Sequence, residues 1–295
     1  MRFTRILLSL VLICTLFASC NTAETATSEA PPVPESLKIL CIGNSFSADT
    51  TEHLADIAKA VGIEEVKIAN LYIGGCSIKR HYNNAVNRYA SYEYHFNDGS
   101  GWQVLYHRRI DDVLKSESWD WVSIQHGTAD GSRYAEEESY EKLPALVAHI
   151  RERVGENTKI AFNMTWVGER NSHEELKRYG NNQERYYKAI AALTEETVLP
   201  IDGLDRISPT GTAVQNIRTA YRGMITRDGY HLTHELGCYL AGLTFFKALT
   251  DLPIDDISWA PDGVSDDERA LAVRAANAAV ESPFTVTDCN KQTDD

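Results

Sequence analysis

Short apolar runs, each separated from the next by a polar or helix-patterned stretch, constrain the fold of this chain more than any other feature. The runs are "LKILCIG" (37–43), "VKIANLYI" (66–73), "DWVSIQ" (120–125), "KIAFNM" (159–164) and "TVLPID" (197–202). Helical periodicity marks "TEHLADIAKAVG" (51–62), "YEKLPALVAHIRERVG" (140–155) and "NNQERYYKAIAALTEET" (181–197). A last helix, "LGCYLAGLTFFKALT" (236–250), is apolar nearly all round and is expected to pack on the sheet. Apolar strands alternating with such helices form a parallel sheet covered on both faces. The expected fold is α/β: a three-layer α/β/α sandwich around a flavodoxin-like, doubly wound parallel sheet of about five strands.

One segment breaks the rhythm between the second and third strands. In "SYEYHFNDGSGWQVLYH", Tyr92, Tyr94 and Phe96 alternate, turn residues follow, and Trp102, Val104 and Tyr106 alternate again. This is the pattern of an aromatic β-hairpin. An insertion there lies near the carboxyl ends of the strands, where open α/β sheets bind ligands. It serves either as a stacking wall for a sugar-like substrate or as a hairpin that packs its rings on the body.

The ends of the chain lie outside that pattern. Residues 1–19 carry Arg2 and Arg5, an apolar run and then small residues, the layout of a secretory signal. "FASC" resembles the lipobox of bacterial lipoproteins, which implies lipidation of Cys20. Residues 20–36, rich in Ala, Thr, Ser, Glu and Pro, read as a flexible tether. The domain is expected over 37–284, with a polar tail at 285–295. The expected location is extracytoplasmic, lipid-anchored to the bacterial cell envelope, with the membrane touched only through Cys20. The net charge of -13 falls to -15 without the signal, which carries two arginines and no acid, and such a field repels nucleic acid and anionic lipid. Cys41 and Cys238 sit in apolar segments as small hydrophobes, and no CxxC pair or metal-ligand spacing occurs.

The first strand stops at Gly43-Asn44-Ser45, followed by a second serine, Ser47. Serine is a weak nucleophile that needs a base, and the base needs an orienter. A strand-to-helix turn gives Ser45 an exposed position, although either serine could equally be an N-cap. Far along the chain, "TRDGYHLT" sets Asp228 and His231 three residues apart. On a tight turn the carboxylate can bind one ring nitrogen and leave the other facing a nucleophile.

With these residues the chain resembles the SGNH (GDSL-like) hydrolases. "GNS" at 43–45 matches their nucleophile block with Asn44 in place of aspartate, and "NLYIGG" places Gly75 at the oxyanion-hole glycine. "DGYH" matches the C-terminal D-x-x-H. The combination "IGNSFS", "NLYIGGCSI", "PTGTAVQN" and "RDGYHLT" resembles a branch catalogued as a domain of unknown function, family 4886. The resemblance implies a three-layer fold and ester hydrolysis without a cofactor or metal. The third block departs from the pattern: Ala129 stands where an oxyanion-hole Asn is expected, and a methyl group donates no hydrogen bond. Gln125, with Ser45 and Gly75, is the candidate to replace it, and His126 is the other.

Softer candidates for substrate contact are Asn44, His126, Trp166 and Arg222, with Arg227 beside the catalytic turn and Gln215 and Asn216 in the preceding segment. His234 lies one helical turn from His231, but no carboxylate-rich set accompanies it, so no metal is expected. The expectation is a serine esterase acting on an acetylated or short-acylated carbohydrate. The alternative is an SGNH-fold carbohydrate- or envelope-binding lipoprotein with weak or no catalysis, motivated by Ala129. A lipase-like or thioesterase activity stands third.

Overall fold

A computed structural model of the protein describes residues 31–126, 137–169 and 174–290. The strands are β1 (Ser36–Gly43), β2 (Glu65–Tyr72), β3 (Tyr92–Asn97), β4 (Trp102–Arg108), β5 (Trp121–Gln125), β6 (Lys159–Asn163) and β7 (Arg206–Ser208). The helices before β5 are α1 (Ser45–Thr51), α2 (Leu54–Ala60), α3 (Ile78–Val86) and α4 (Ile110–Leu114). Those after it are α5 (Leu143–Arg151), α6 (Glu174–Arg178), α7 (Gln183–Leu193), α8 (Thr210–Ala220), α9 (Leu236–Thr250) and α10 (Asp266–Glu281).

The strands form one sheet in the order β4-β3-β2-β1-β5-β6-β7. Five of them, β2 to β7 through β1 and β5, pair in parallel, as the apolar runs predict. The sheet has seven strands rather than five because the hairpin continues it, β3 pairing antiparallel with β2 and β4 with β3. The hairpin turn is held by the Asn97 side chain, which accepts from the backbone N–H of Gly99 at 3.0 Å and of Gly101 at 3.2 Å. Both glycines have positive φ, +99° and +95°, where a side chain would be strained.

Helices α1, α2 and α9 pack together on one face, and α3 packs with α4 and α5 on the other. The inner strands are buried on both faces, with Ile39, Leu40, Ile42, Ile68, Val122, Ile124 and Ile160 fully enclosed. Chain order reverses between β1 and β5, so the crevice beyond their carboxyl ends is the switch point of the sheet. Ser45 follows one of these strands, and Gln125 ends the other.

Three element expectations are corrected. The stretch 197–202 is not the fifth strand: residues 194–198 form a π-helical turn after α7, and Pro200 has no N–H for a ladder. The strand is the three-residue β7, whose Arg206 pairs with Ala161. The helix expected over 51–62 is two helices, and the first begins at once at Ser45. Helix α9 has the predicted bounds but is not the last. Helix α10 follows, started by a capping box in which Glu268 N–H donates to Ser265 Oγ at 3.3 Å and Ser265 N–H to Glu268 Oε2 at 2.9 Å. Its buried Ala272, Ala275, Ala276 and Ala279 allow close packing on α8 and α9.

Cys41, Cys76, Cys238 and Cys289 are buried cysteines. Among the described residues, no helix is long and apolar enough to cross a membrane. The signal, Cys20 and most of the tether lie outside the described residues, as do Ala129 and the third block around it.

Candidate active site

The turn after β1 is held from three sides. Asn44 is extended and caps α1, its Oδ1 accepting from Phe46 N–H at 2.9 Å. The same oxygen accepts from Gln125 Nε2 at 2.6 Å, and Asn44 Nδ2 donates to the Cys76 carbonyl at 3.3 Å. One side chain therefore joins the ends of β1 and β5 to the turn after β2. Gly43 has no room for a side chain: a Cβ there would lie 2.0 Å from Ser47 Oγ and 3.0 Å from the Gln125 side chain. Ser47, buried, donates to Gln125 Oε1 at 2.9 Å. Of the two serines, Ser47 is committed to this bracket, and Ser45 is left at the half-buried start of the helix.

Ser45 meets the far end of the chain. His231 Nε2 lies 2.8 Å from Ser45 Oγ, and His231 Nδ1 lies 2.6 Å from Asp228 Oδ2. Asp228 Oδ1 also accepts from the backbone N–H of Tyr230 at 2.9 Å and of His231 at 2.7 Å. Partial burial tends to raise the Asp228 carboxyl. The His231 ring and the two N–H donors outweigh that and bring its pKa down to about 2. Asp228 is thus an anion across the working pH range, fixed toward one ring nitrogen of His231.

A buried carboxylate that sequence reasoning passed over anchors this loop. Asp49, on the turn of α1 after Ser45, is 2% exposed. Its Oδ1 accepts from Arg227 Nη2 at 2.9 Å and its Oδ2 from Leu232 N–H at 2.9 Å. These two contacts bracket Asp228 and His231, so the helix that carries Ser45 also holds the loop that carries His231. Burial pushes the Asp49 carboxyl up, while Arg227 and the Leu232 N–H pull it back toward the charged form. The available signal was an acid four residues after Ser45, on the same side of the helix.

The other expected residues sit in differing surroundings, and several are turned away from Ser45 or already engaged elsewhere. Gly75 has φ +60° in a turn closed by Cys76 N–H to the Ile73 carbonyl at 3.1 Å. Gln125 faces Asn44 and Ser47 rather than the Ser45 hydroxyl, using one amide hydrogen for Asn44. His126 is buried against Tyr140 with ring centroids 4.9 Å apart, and burial lowers its pKa to about 3, so it is neutral. Trp166 lies beneath the Asp228–His231 loop with no open face: it is 1% exposed, packs on Phe46 at 4.5 Å and donates to the Tyr230 carbonyl at 2.8 Å. Arg222 is exposed. Arg227 is occupied by Asp49, and Asn216 is buried, bonded to Ala275 and Thr287. His234 pairs through Nδ1 with Glu52, 2.9 Å from each carboxylate oxygen. Cys238 completes a grouping whose ligand atoms lie within 4.8 Å of one another. Burial pushes the Cys238 thiol far up, so it stays protonated.

A three-layer α/β fold with Ser45, His231 and Asp228 hydrogen-bonded in series at the switch point of its sheet defines the class of the protein. The chain belongs to the family described as domain of unknown function DUF4886, whose model matches residues 38–279. A solved DUF4886 family protein from Bacteroides uniformis is 35% identical with a TM-score of 0.80, over 86% of this chain and 98% of that one. A lipase/acylhydrolase from Enterococcus faecalis is 15% identical with a TM-score of 0.47, over 73% of this chain and 96% of that one. A protein described as a GDSL-like lipase from Parabacteroides merdae is 14% identical with a TM-score of 0.44, over 85% of this chain and 99% of that one. None of the curated proteins matches the chain.

Proposed function

We propose that the protein is an exported, lipid-anchored serine esterase that removes acetyl or other short acyl groups from carbohydrate. The observation that carries the catalytic part is the unbroken relay from Ser45 Oγ through His231 to Asp228. Ser45 Oγ attacks the ester carbonyl as His231 Nε2 takes its proton. The imidazolium, held by Asp228, returns that proton to the departing sugar oxygen. Water, activated by the same nitrogen, then hydrolyses the acyl-serine and restores Ser45. The backbone N–H groups of Ser45 and Gly75 are the donors assigned to the oxyanion, while Gln125, turned toward Asn44 and Ser47, braces the turn that carries Ser45.

The carbohydrate preference draws on the family resemblance, on the export signal and on a chain too acidic to attract polyanions. The test uses the domain from Leu37 with 4-nitrophenyl acetate and partially acetylated oligosaccharides. Ser45→Ala is expected to lower kcat on the order of 1000-fold or more, and a fluorophosphonate should label the parent protein but not this variant. Equal turnover by parent and Ser45→Ala, or absence of labelling, leaves a binding protein without catalysis. Anchoring is checked separately in the full chain, where labelled palmitate should incorporate and Cys20→Ser should abolish it.

A further inference from the structure

The hairpin is two-faced, and among the described residues one face is packed and the other is largely open. Tyr92, Tyr94 and Phe96 point to the α3 side, where Tyr92 stacks on the buried His81 ring with centroids 5.7 Å apart. Tyr94 and Phe96 stack on each other at 5.1 Å. The opposite face lies on the side of α1, and the strand register lines it up row by row. Asn70 of β2 sits opposite His95 of β3, which sits opposite Val104 of β4, and Trp102 sits opposite Asn97.

This face floors a cavity of about 320 Å³ whose inner wall is α1, with Ala48, Asp49 and Glu52, and whose outer wall is Trp102. Arg227 and His234 close the side next to the catalytic loop. Ala48 is three residues from Ser45 on one helix face, about 5 Å along the axis. A group in this cavity is therefore one sugar ring away from a group being deacylated at Ser45.

The walls state what such a group must be. Each acid there is already engaged, Asp49 with Arg227 at 2.9 Å and Glu52 with the His234 ring at 2.9 Å, so neither carboxylate is turned to the cavity as an open cation site. Among the described residues, one buried side-chain polar atom of these walls has no hydrogen-bond partner: Asn70 Oδ1, in a side chain 1% exposed. Its orientation is fixed by the network, since Thr51 Oγ1 donates to the Ser47 carbonyl at 2.8 Å and must accept from Asn70 Nδ2, also at 2.8 Å. The amide oxygen is thus an acceptor that requires a donor, and a buried acceptor left unsatisfied is costly. Trp102, 43% exposed, adds an open aromatic surface across from it, and the His95 ring stacks on Tyr72 at 4.9 Å to form a flat floor.

We infer that this cavity is a subsite for a neutral sugar ring adjacent to the acyl-bearing one, with a sugar hydroxyl donating to Asn70 Oδ1 and the ring face packed on Trp102. The inference deepens the esterase reading and rests on it only for the neighbouring acylated ring, because binding in the cavity needs no turnover.

The experiment separates the two. Calorimetry on the Ser45→Ala protein measures binding of neutral oligosaccharides, xylotetraose and cellotetraose in partially acetylated form, with acetylated tetragalacturonate as the charged counterpart. Trp102→Ala and Asn70→Ala, each added to that background and checked for folding by thermal unfolding, should weaken neutral-oligosaccharide binding about tenfold. The tetragalacturonate should bind more weakly than either neutral probe. In catalytically intact protein, Trp102→Ala should lower the ratio of kcat/KM on the oligosaccharide to kcat/KM on 4-nitrophenyl acetate by a similar factor, through KM. Folded variants that bind as the parent does, a stronger grip on the tetragalacturonate, or no neutral probe bound at all overturn the subsite. Trp102-dependent binding in a protein that hydrolyses no ester overturns the esterase reading and leaves the subsite standing.

Discussion

Gly43, Ser47 and Gln125 fill one another's space at the base of the nucleophile turn, and single substitutions there separate support from chemistry. Gly43→Ala drives a methyl into Ser47 Oγ, which lies 2.0 Å from the Cβ position, and into the Gln125 side chain. It should cost about 1–3 kcal/mol, measured by urea unfolding, and lower kcat by tilting Ser45. Ser47→Ala removes one buried hydroxyl and its bond to Gln125, so about 1 kcal/mol of stability should go while most of the activity remains. A kcat for Ser47→Ala as low as that for Ser45→Ala would reverse the assignment of the two serines. At Asp228 the folded pKa of about 2 lies below the ordinary carboxylate value of 3.8. Its stabilising contribution is therefore complete above about pH 4 and disappears as pH falls toward 2. The stability gap between parent and Asp228→Asn should close over that window. It should stay small, under about 1 kcal/mol, because the side chain is half exposed.

Helix α1 is the element on which the site depends, since it carries Ser45, the proposed nucleophile, at its first residue and the loop anchor Asp49 one turn later. Asp49→Ala leaves the Leu232 N–H and Arg227, about a third of whose side chain meets solvent, without their acceptor, and should cost about 1–3 kcal/mol. Asp49→Asn keeps the shape and loses the charge. It should retain the fold, with kcat reduced more than KM is raised, because the Asp228–His231 turn is no longer clamped. An unchanged kcat in a folded Asp49→Asn protein would remove Asp49 from the positioning role. The triad was legible in the sequence because its signals are local: a strand that stops on Gly-x-Ser, and two functional side chains three residues apart. Asp49 was not, because no turn or strand-end signal stands beside it, and a lone acid in a hydroxyl-rich helix looks like a solvated one. The same contrast holds for elements. Helix α9 was read to the residue from its apolar run. Strand β7, three residues long, had too few positions to show a period, and the apolar "TVLPID" beside it drew the assignment. Helix α10 was passed over because its buried face is alanine, weak in hydropathy, although Ser265 and Glu268 already spelled a capping box.

The molecule as a whole is an acidic body whose site lies at the switch point of a sheet widened by a hairpin on one side. That widening leaves an uncovered shelf beside α1, and the overall charge of -13 bears on what reaches it. A field of this sign discourages anionic substrates at long range and is indifferent to neutral ones. Screening should remove that discouragement once the Debye length falls from about 30 Å at 0.01 M salt to about 10 Å at 0.1 M. For a neutral acetylated oligosaccharide, kcat/KM should therefore stay level across that salt range. For an acetylated uronic-acid oligosaccharide of equal length it should start lower and rise with salt. The rise should appear in KM alone, since the field acts on encounter and not on the relay of Ser45, His231 and Asp228. Stopped-flow or initial-rate measurements at a few ionic strengths decide it. A neutral substrate whose kcat/KM falls steeply with salt would mean that an unrecognised charged contact, rather than Trp102 and Asn70, steers binding at the shelf.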